Sequence, residues 1–336
     1  QWLNSPCKIV PRRGKLRLGS PILKGLVSMS SFLSDAVADA PALLIRQAQD
    51  APTPRVAIAR AGAPLPMLAA MEATQANMMV PLFTGERDMI QAEADKLGWD
   101  ISPYEIINTT SEIEAGNAAA MACGEGRADV LMKGQLHTDV FMRAAVSRDA
   151  GLRTGKRFVH IFHITTPDGS GSITISDAAV NVHPNIDTRK DATREVVDLL
   201  HKIGNPRPKV AFLSATESPI EAVPSSTEGR ELRDWAIENI RDADFSGPLA
   251  FDLIMSPKAV QAKKLTGDPV AGQADAIIVP DIVSGNALFK SFVYLSGGCA
   301  GGIVMGAKVP ILLTSRADPA ASRLLSIALG AIVAAG

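Results

Sequence analysis

Residues 275–322 read DAIIVPDIVSGNALFKSFVYLSGGCAGGIVMGAKVPILLTSRADPAAS, and this stretch decides how the chain is expected to fold. Ala276–Val279 is a short apolar run that stops at Pro280-Asp281, which predicts a buried strand ending at a turn. Residues 284–286 (Ser-Gly-Asn) then open an amphipathic helix over 287–295.

A glycine-dense run and a second strand follow that helix. The glycines between residues 297 and 306 let the backbone make tight turns or approach another molecule closely. Val309–Leu313 predicts a second buried strand, with Thr314-Ser315-Arg316 at its carboxyl end and a last helix starting near Asp318-Pro319. Two strands that each lead through a polar turn into a helix N-terminus predict a site that holds an anion.

Length and composition favour an α/β protein of two domains. The 336 residues exceed what one hydrophobic core usually serves, and the net charge of −1 argues against nucleic acid as the main partner. Three cysteines without a C-x-x-C pair predict neither a disulfide framework nor a zinc site. Because no apolar run is long enough for a membrane span, we expect a cytoplasmic protein.

The first 28 residues differ from the rest. They contain Lys and Arg but no Asp or Glu, and they lack the apolar segment of a signal peptide. We interpret residues 1–28 as a basic N-terminal extension or a linker from an upstream domain.

Strand and helix patterns alternate regularly after a first helix expected at Ser34–Gln49. Strands are predicted at 55–61, 79–84, 104–108 and 130–132, with helices at 67–75, 86–96 and 112–125 between them. This alternation predicts a parallel sheet covered on both faces. A further short strand is expected at Leu249–Phe251, and no G-x-G-x-x-G motif follows the first strand, which disfavours a dinucleotide site.

The opening stretch carries a family resemblance. The pattern P-D-I-x-x-G-N-x-x-x-K from Pro280 to Lys290, a glycine-rich turn and P-I-x-x-x-S-R ending at Arg316 resemble the C-terminal part of the phosphate acetyltransferase and phosphate butyryltransferase family. Residues 172–184 and 315–318 resemble the butyryl branch more closely.

A third block, Lys133–Asp139, leaves a strand and enters a helix that carries Arg143. Its spacing alone fits either an anion site or a plain capped turn. The family shows the same order of glycine, His-Thr and arginine, although the interval from His137 to Arg143 is one residue shorter here than in acetyl-type members. The resemblance implies that six residues bind substrate: Gly134, His137, Thr138, Arg143, Asn286 and Lys290.

The resemblance also implies the architecture. It predicts two α/β/α domains with a cleft between them, as in isocitrate and isopropylmalate dehydrogenases. Domain I would consist of residues 29–150 plus 303–336 with a parallel sheet, and domain II of residues 151–302 with a mixed sheet and the dimer contact. The glycine- and cation-bearing connector at 151–156 is the expected boundary.

Two polar groups have competing interpretations. His160 and His163 are three apart on a predicted strand, so they face opposite sides, cannot share a metal and are better read as core or surface histidines. Residues 225–229 (SSTEG) either cap the following helix, predicted at Arg230–Arg241, or line a cleft.

The family implies transfer of an acyl group between coenzyme A and phosphate in a homodimer, without a metal, a bound cofactor or a covalent intermediate. Ser315, Arg316 and Asp318 are the catalytic candidates, with Arg316 on the phosphate and Ser315 on the phosphate or the carbonyl oxygen. Acetyl-type members place a thiol base seven residues after the serine, where Ser322 stands here. Asp318 is therefore either the base or the N-cap of the last helix.

Two other functions stay open from the sequence. A decarboxylating dehydrogenase of the same fold would need metal-binding aspartates and a nicotinamide site, and neither pattern is present. A non-catalytic sensor of coenzyme A or acyl phosphate would explain the missing acid.

Overall fold

The computed structural model describes residues 32–313 and 318–336. The chain divides into residues 1–33 and a compact body of residues 34–336, and only the body is described below. Its strands are β1 (Arg55–Ala59), β2 (Val80–Gly85), β3 (Glu105–Asn108), β4 (Val130–Lys133), β5 (Val159–Thr165), β6 (Ser172–Ser176), β7 (Lys209–Leu213), β8 (Asp244–Leu249), β9 (Ala276–Ile278), β10 (Cys299–Met305) and β11 (Ile311–Leu312).

Helices connect most of these strands. They are α1 (Ala42–Asp50), α2 (Pro64–Gln75), α3 (Arg87–Leu97), α4 (Glu112–Gly124), α5 (Thr138–Ala145), α6 (Ile186–Lys202), α7 (Pro224–Asn239), α8 (Phe251–Met255), α9 (Pro257–Ala262), α10 (Ile282–Tyr294) and α11 (Ala320–Ala334). Within residues 32–313 and 318–336, every helix is too short or too polar to cross a lipid bilayer.

All strands join one sheet of eleven, in the order β3-β2-β1-β4-β11-β10-β5-β6-β9-β7-β8. The first five strands are parallel, β10 and β5 run antiparallel to their neighbours, and β6, β9, β7 and β8 are parallel again. The predicted return of the chain to the first half of the sheet is confirmed, because Ile311 and Leu312 pair with β4. The expectation of two separate sheets was wrong, because β10 and β5 pair with each other and join the two halves.

The two faces of the sheet are covered differently. On one face a single apolar cluster lies beneath α1, α2, α3, α6, α7 and α11. On the other face, one cluster lies beneath α4 and α5 and a separate one beneath α8, α9 and α10. Helices α5 and α10 thus belong to different clusters on this second face, and we call the space between them, over the middle strands, the central gap.

The glycine-dense run forms a strand with a turn glycine at each end, since Gly297 and Gly306 have φ angles of 70° and 91°. Residues 299–305 are β10, and every residue of that strand is buried. A Cβ atom on Gly301 would lie 2.6 Å from Leu325 Cγ, and one on Gly302 would lie 3.1 Å from His160 Nε2. Gly301 and Gly302 thus allow close approach of α11 and of the neighbouring strand.

Two predicted elements need correction. The first helix begins at Ala42 and not at Ser34, and Pro41 occupies its N-cap. The strand expected at Leu249–Phe251 is β8, which ends at Leu249, while Phe251 begins α8. Gly247-Pro248 within β8 concealed the strand, because both residues usually indicate a turn.

Candidate functional site

The middle strands carry a continuous row of buried side chains on the face of the central gap. Leu131, Ile311, Val304 and His160 are register partners across β4, β11, β10 and β5. Gly302 and Phe162 form the next pair of that face, and Phe162 stacks on Phe289 of α10 with ring centroids 3.7 Å apart. The pairing of β4 with β11 also brings the carboxyl ends of these two strands to one edge of the sheet.

Gly134 follows β4 at this edge, and its lack of a side chain has a clear cause. Its amide donates to the Ala59 carbonyl at 2.9 Å, and a Cβ atom here would overlap that oxygen and lie 2.6 Å from the Arg60 oxygen. Gly134 is thus required by the contact between the exits of β1 and β4. The preceding residue, Lys133, is buried with only 6% exposure, although the sequence did not single it out.

His137 and Thr138 form the start of α5. His137 occupies the N-cap without a side-chain capping bond, and its Nδ1 lies 3.0 Å from the Glu112 carboxylate. The His137 amide also donates to Glu112, and these bonds hold the pKa of Glu112 below its usual value. His137 and Thr138 are both exposed at the carboxyl edge of the sheet, where an incoming anion would meet the N-terminus of α5.

Arg143 lies on the outer side of α5. Its guanidinium is exposed, lies 3.5 Å from Asp139 one turn earlier, and lines a cavity of about 230 Å³ between α4 and α5. Met142 and Val146 instead line the cavity on the side of the central gap. Met142 directly precedes Arg143, and consecutive residues of a helix point about 100° apart. The predicted substrate role of Arg143 stays a prediction.

The segment with the main catalytic candidates is only partly described. Ser315 and Arg316 lie outside the described residues, so their roles stay predictions. Asp318 is half-buried, and its carbonyl oxygen accepts a hydrogen bond from Arg323. Helix α11 begins at Ala320 with Pro319 at its N-cap, so Asp318 precedes the cap position, and the role of its carboxylate stays a prediction.

Ser322 faces the core and not a substrate site. It is 7% exposed, and its Oγ lies 3.9 Å from the buried Cys299 Sγ. Arg323 beside it is also only 7% exposed and holds the turn at residue 318, a role that the sequence analysis missed. Its position in the first turn of a predicted helix gave no signal of this contact.

Asn286 and Lys290 lie on α10, whose first turn is capped by Asp281 with a 2.9 Å bond to the Ser284 amide. Asn286 Nδ2 lies 3.4 Å from the carbonyl oxygen of Ala178, while Lys290 is exposed one turn further along. The P-D-I-x-x-G-N motif therefore packs against the loop that follows β6.

That loop is organised by the buried carboxylate of Asp177. It accepts hydrogen bonds from the amides of His160, Ala179, Val180 and Asn181 and from the Asn181 side chain, at 2.6–3.3 Å. These bonds turn Val180 and Asn181 towards the central gap, where both line a cavity.

The two predicted core histidines are both buried, as expected. Burial lowers the pKa of His160 to about 4, although the nearby Asp177 carboxylate opposes this shift. Burial likewise lowers the pKa of His163 to about 4, and its Nδ1 lies 3.0 Å from Thr174 Oγ1. Both rings are thus neutral at pH 7.

The hydroxyl-rich segment 225–229 lies inside a helix and not before it. Helix α7 starts at Pro224 without a side-chain cap, so the capping interpretation was wrong. Ser226 instead donates to the Val223 carbonyl at 2.7 Å, and Glu228 accepts from the buried Arg189 guanidinium at 2.9 Å. The alternative role of residues 225–229, lining a cleft, stays a prediction.

A cationic cavity, which the site prediction missed, opens beside the central gap. Arg153, Lys156 and Arg157 line it together with residues of α5 and of the loop after β6, and its volume is about 550 Å³. The sequence marked this segment only as a domain boundary, and its run of cations between two glycines was the available signal.

These features define an α/β protein in which β4 and β11 end at one sheet edge, each followed along the chain by a helix, with a cationic cavity at the far end of α5. The family model described as phosphate acetyl/butaryl transferase matches residues 105–331, more than half of the chain. The chain belongs to this family, and the family predicted from the motifs is confirmed.

Individual relatives agree with this assignment. A phosphate acetyltransferase from Rickettsia prowazekii (strain Madrid E) is 37% identical over 269 residues, which cover 80% of this chain and 76% of that protein. A phosphate butyryltransferase from Clostridium acetobutylicum is 34% identical over 271 residues, covering 80% and 90%. A solved branched-chain phosphotransacylase from Enterococcus faecalis V583 has a TM-score of 0.73 at 26% identity, covering 83% of this chain and 98% of that one.

Proposed function

We propose that this protein transfers an acetyl or short-chain acyl group between coenzyme A and inorganic phosphate. The observation that carries the proposal is the pairing of β4 with β11, which brings the carboxyl ends of both strands to one edge of the sheet. Strand β4 leads through Gly134 into α5, and α11 is the helix that follows β11 along the chain. Two helix N-termini at one edge suit the phosphate group of an acyl phosphate.

The reaction proceeds by direct attack in a ternary complex. The thiolate sulfur of coenzyme A attacks the carbonyl carbon of the acyl phosphate, the bond from that carbon to the phosphate oxygen breaks, and phosphate leaves. Arg316 neutralises the leaving phosphate, and Ser315 donates to the phosphate or to the carbonyl oxygen as charge develops. The thiol, with a reference pKa near 8.5, loses its proton to Asp318.

The position of Asp318 supports its role as the base. Ser322, at the place of the acid in acetyl-type members, is buried against Cys299 and cannot replace it. Arg323 fixes the backbone at Asp318, and the start of α11 at Ala320 leaves that residue outside the capping position.

We also propose that the two halves of the sheet act as two domains around the central gap, with residues 29–150 plus 303–336 facing residues 151–302, as in isocitrate and isopropylmalate dehydrogenases. The apolar surface of α8 and α10 would form the homodimer contact. Phe251, Met255, Val283, Tyr294 and Leu295 are exposed there, and large apolar patches on soluble proteins often mark interfaces. Two copies per particle in light scattering, reduced to one by Val283→Glu, would support this contact, and a parent monomer would contradict it.

Thiol release tests the proposed activity. Acetyl-CoA or butyryl-CoA incubated with phosphate should release free coenzyme A, detected with a thiol reagent, and arsenate in place of phosphate should drive the release to completion. No permanently bound cofactor is needed, so the purified chain alone should suffice. Calorimetric binding of coenzyme A without release from either thioester would identify a sensor and overturn the proposal.

A further inference from the structure

The cationic cavity has a marked excess of positive charge. Its lining includes Arg153, Lys156 and Arg157 and contains no Asp or Glu. Lys156 is paired with Glu195 at 2.7 Å. Among the described residues, neither Arg153 nor Arg157 has a carboxylate within ion-pair distance of its guanidinium. Two guanidinium groups thus remain available for an anion.

Three other cavities in the described part of the chain lack this excess. The cavity of about 420 Å³ near the C-terminus of α11 contains three lysines and three acidic residues. The cavity beside Arg143 also contains Asp149, and a cavity of about 630 Å³ near α1 is lined by Asp275 and no Lys or Arg. The excess of positive charge therefore distinguishes the cationic cavity from these three cavities.

The segment that carries these cations is held firmly. Thr154 Oγ1 donates to the Gly306 carbonyl at 2.6 Å, and the Lys308 amide donates to the Leu152 carbonyl at 2.8 Å. Arg153 Nε donates to the Val146 carbonyl at the end of α5, at 2.6 Å, which leaves its two terminal nitrogens for a ligand. A guanidinium oriented in this way is suited to paired hydrogen bonds with phosphate.

The remaining lining is apolar. Met142 of α5 and Val146 directly after that helix line the cavity with Phe158 and Val180, and the Asn181 side chain adds a hydrogen-bonding group. A ligand with phosphate groups at one end and a less polar body would fit these walls better than a free inorganic ion. Coenzyme A has this composition, with phosphates at its nucleotide end and a pantetheine arm that leads to the thiol.

Helix α5 connects the cavity to the proposed reaction site. It begins at Thr138, beside the carboxyl edge of β4, and Val146 directly after its end lines the cavity. Eight residues of α-helix span about 12 Å. A pantetheine arm lying along this helix in the central gap would therefore carry the thiol from the cavity to the edge of β4 and β11.

We propose that the cationic cavity binds the phosphate groups at the nucleotide end of coenzyme A through Arg153 and Arg157. This inference rests on the proposed function, because it assigns a place to one of its two substrates. It adds two binding residues to those that the motifs indicated.

The double variant Arg153→Gln/Arg157→Gln tests the inference. Loss of two charge-assisted contacts should raise the KM for coenzyme A by about 10- to 100-fold, with kcat and the KM for acyl phosphate within about twofold of the parent. Arg46→Gln removes the same charge from an exposed position on α1 and should leave every constant unchanged. An unchanged KM for coenzyme A in the double variant would overturn the inference.

Calorimetry separates this inference from the proposed function. Adenosine 3′,5′-bisphosphate carries a nucleotide and phosphates without the pantetheine arm, so it should bind the parent and Arg46→Gln but lose about 10-fold or more in the double variant. This result would support the cavity assignment even if no acyl transfer were detected. Equal affinity for the parent and the double variant would refute the assignment even if acyl transfer were demonstrated.

Discussion

Gly134→Ala should disturb the turn after β4 more than its one added methyl group suggests. The new Cβ atom would overlap the Ala59 carbonyl oxygen and lie 2.6 Å from the Arg60 oxygen, where ordinary contacts are 3.4 Å or longer. Both neighbours are backbone atoms of the exit from β1, so no side chain can rotate away. The β4 turn must therefore move by about 1 Å relative to β1.

The cost follows from the contacts that this movement breaks. The Gly134 amide bonds the Ala59 carbonyl at 2.9 Å, and the Gln135 amide bonds the Arg60 carbonyl at 2.8 Å. Each hydrogen bond contributes about 1 kcal/mol net, and overpacking adds about 1–3 kcal/mol. We expect the free energy of unfolding to fall by about 3–5 kcal/mol, which lowers Tm by about 4–7 °C for a chain of this length.

Catalysis should respond as well, because the same turn leads into α5. A misplacement of about 1 Å can reduce a rate by about 100-fold, so we expect kcat/KM for acyl transfer to fall by about 10- to 100-fold. Gly267→Ala is the matched control, since a Cβ atom there would meet nothing within 4 Å and its backbone needs no glycine. It should change the unfolding free energy by less than about 0.5 kcal/mol. Denaturant unfolding and thiol release would measure both effects, and a Gly134→Ala variant as stable and active as Gly267→Ala would refute the reasoning.

Four further results are expected. Arg316→Ala should lower kcat/KM by the equivalent of about 2–4 kcal/mol with the unfolding midpoint unchanged, and a rate within twofold of the parent would remove this residue from the site. Asp318→Asn should abolish an acidic limb in the kcat–pH profile and slow turnover by about 10²- to 10⁴-fold, whereas a retained limb would place the base elsewhere. His163 is neutral in the fold because burial lowers its pKa to about 4, while an unfolded histidine takes up a proton below about 6.5. The parent should therefore lose stability as the pH falls from about 6.5 to about 4. His163→Gln should lose less over this range in unfolding titrations, and an equal loss would show that the pKa of His163 is unperturbed. Gly301→Ala should destabilise the fold by about 1–3 kcal/mol through contact with Leu325, and adding Leu325→Ala should recover part of this loss, which strictly additive effects would contradict.

Local patterns in the sequence were sufficient for most of the architecture. The alternation of strand and helix from Arg55 to Lys133 predicted the parallel half of the sheet, because the period of apolar residues is set within each element. The motif from Pro280 to Lys290 likewise indicated the family, since its residues are close neighbours along the chain. Residues that usually indicate turns gave wrong predictions at Gly247-Pro248, which lies within β8, and at the glycines of β10, because both segments form strands.

Contacts between distant segments could be decided only by the tertiary structure. The joining of both halves into one sheet depends on the pairing of β10 with β5, and no local pattern reports which strands will be neighbours. The side of α5 that faces the central gap follows from how that helix packs, which places Arg143 outside it and Val146 beside the cationic cavity. Strand and helix formation depend on residues a few positions apart, whereas a binding site depends on the packing of whole elements. The sequence therefore predicted the strands, helices and family, and folding determined which charged side chains lie together.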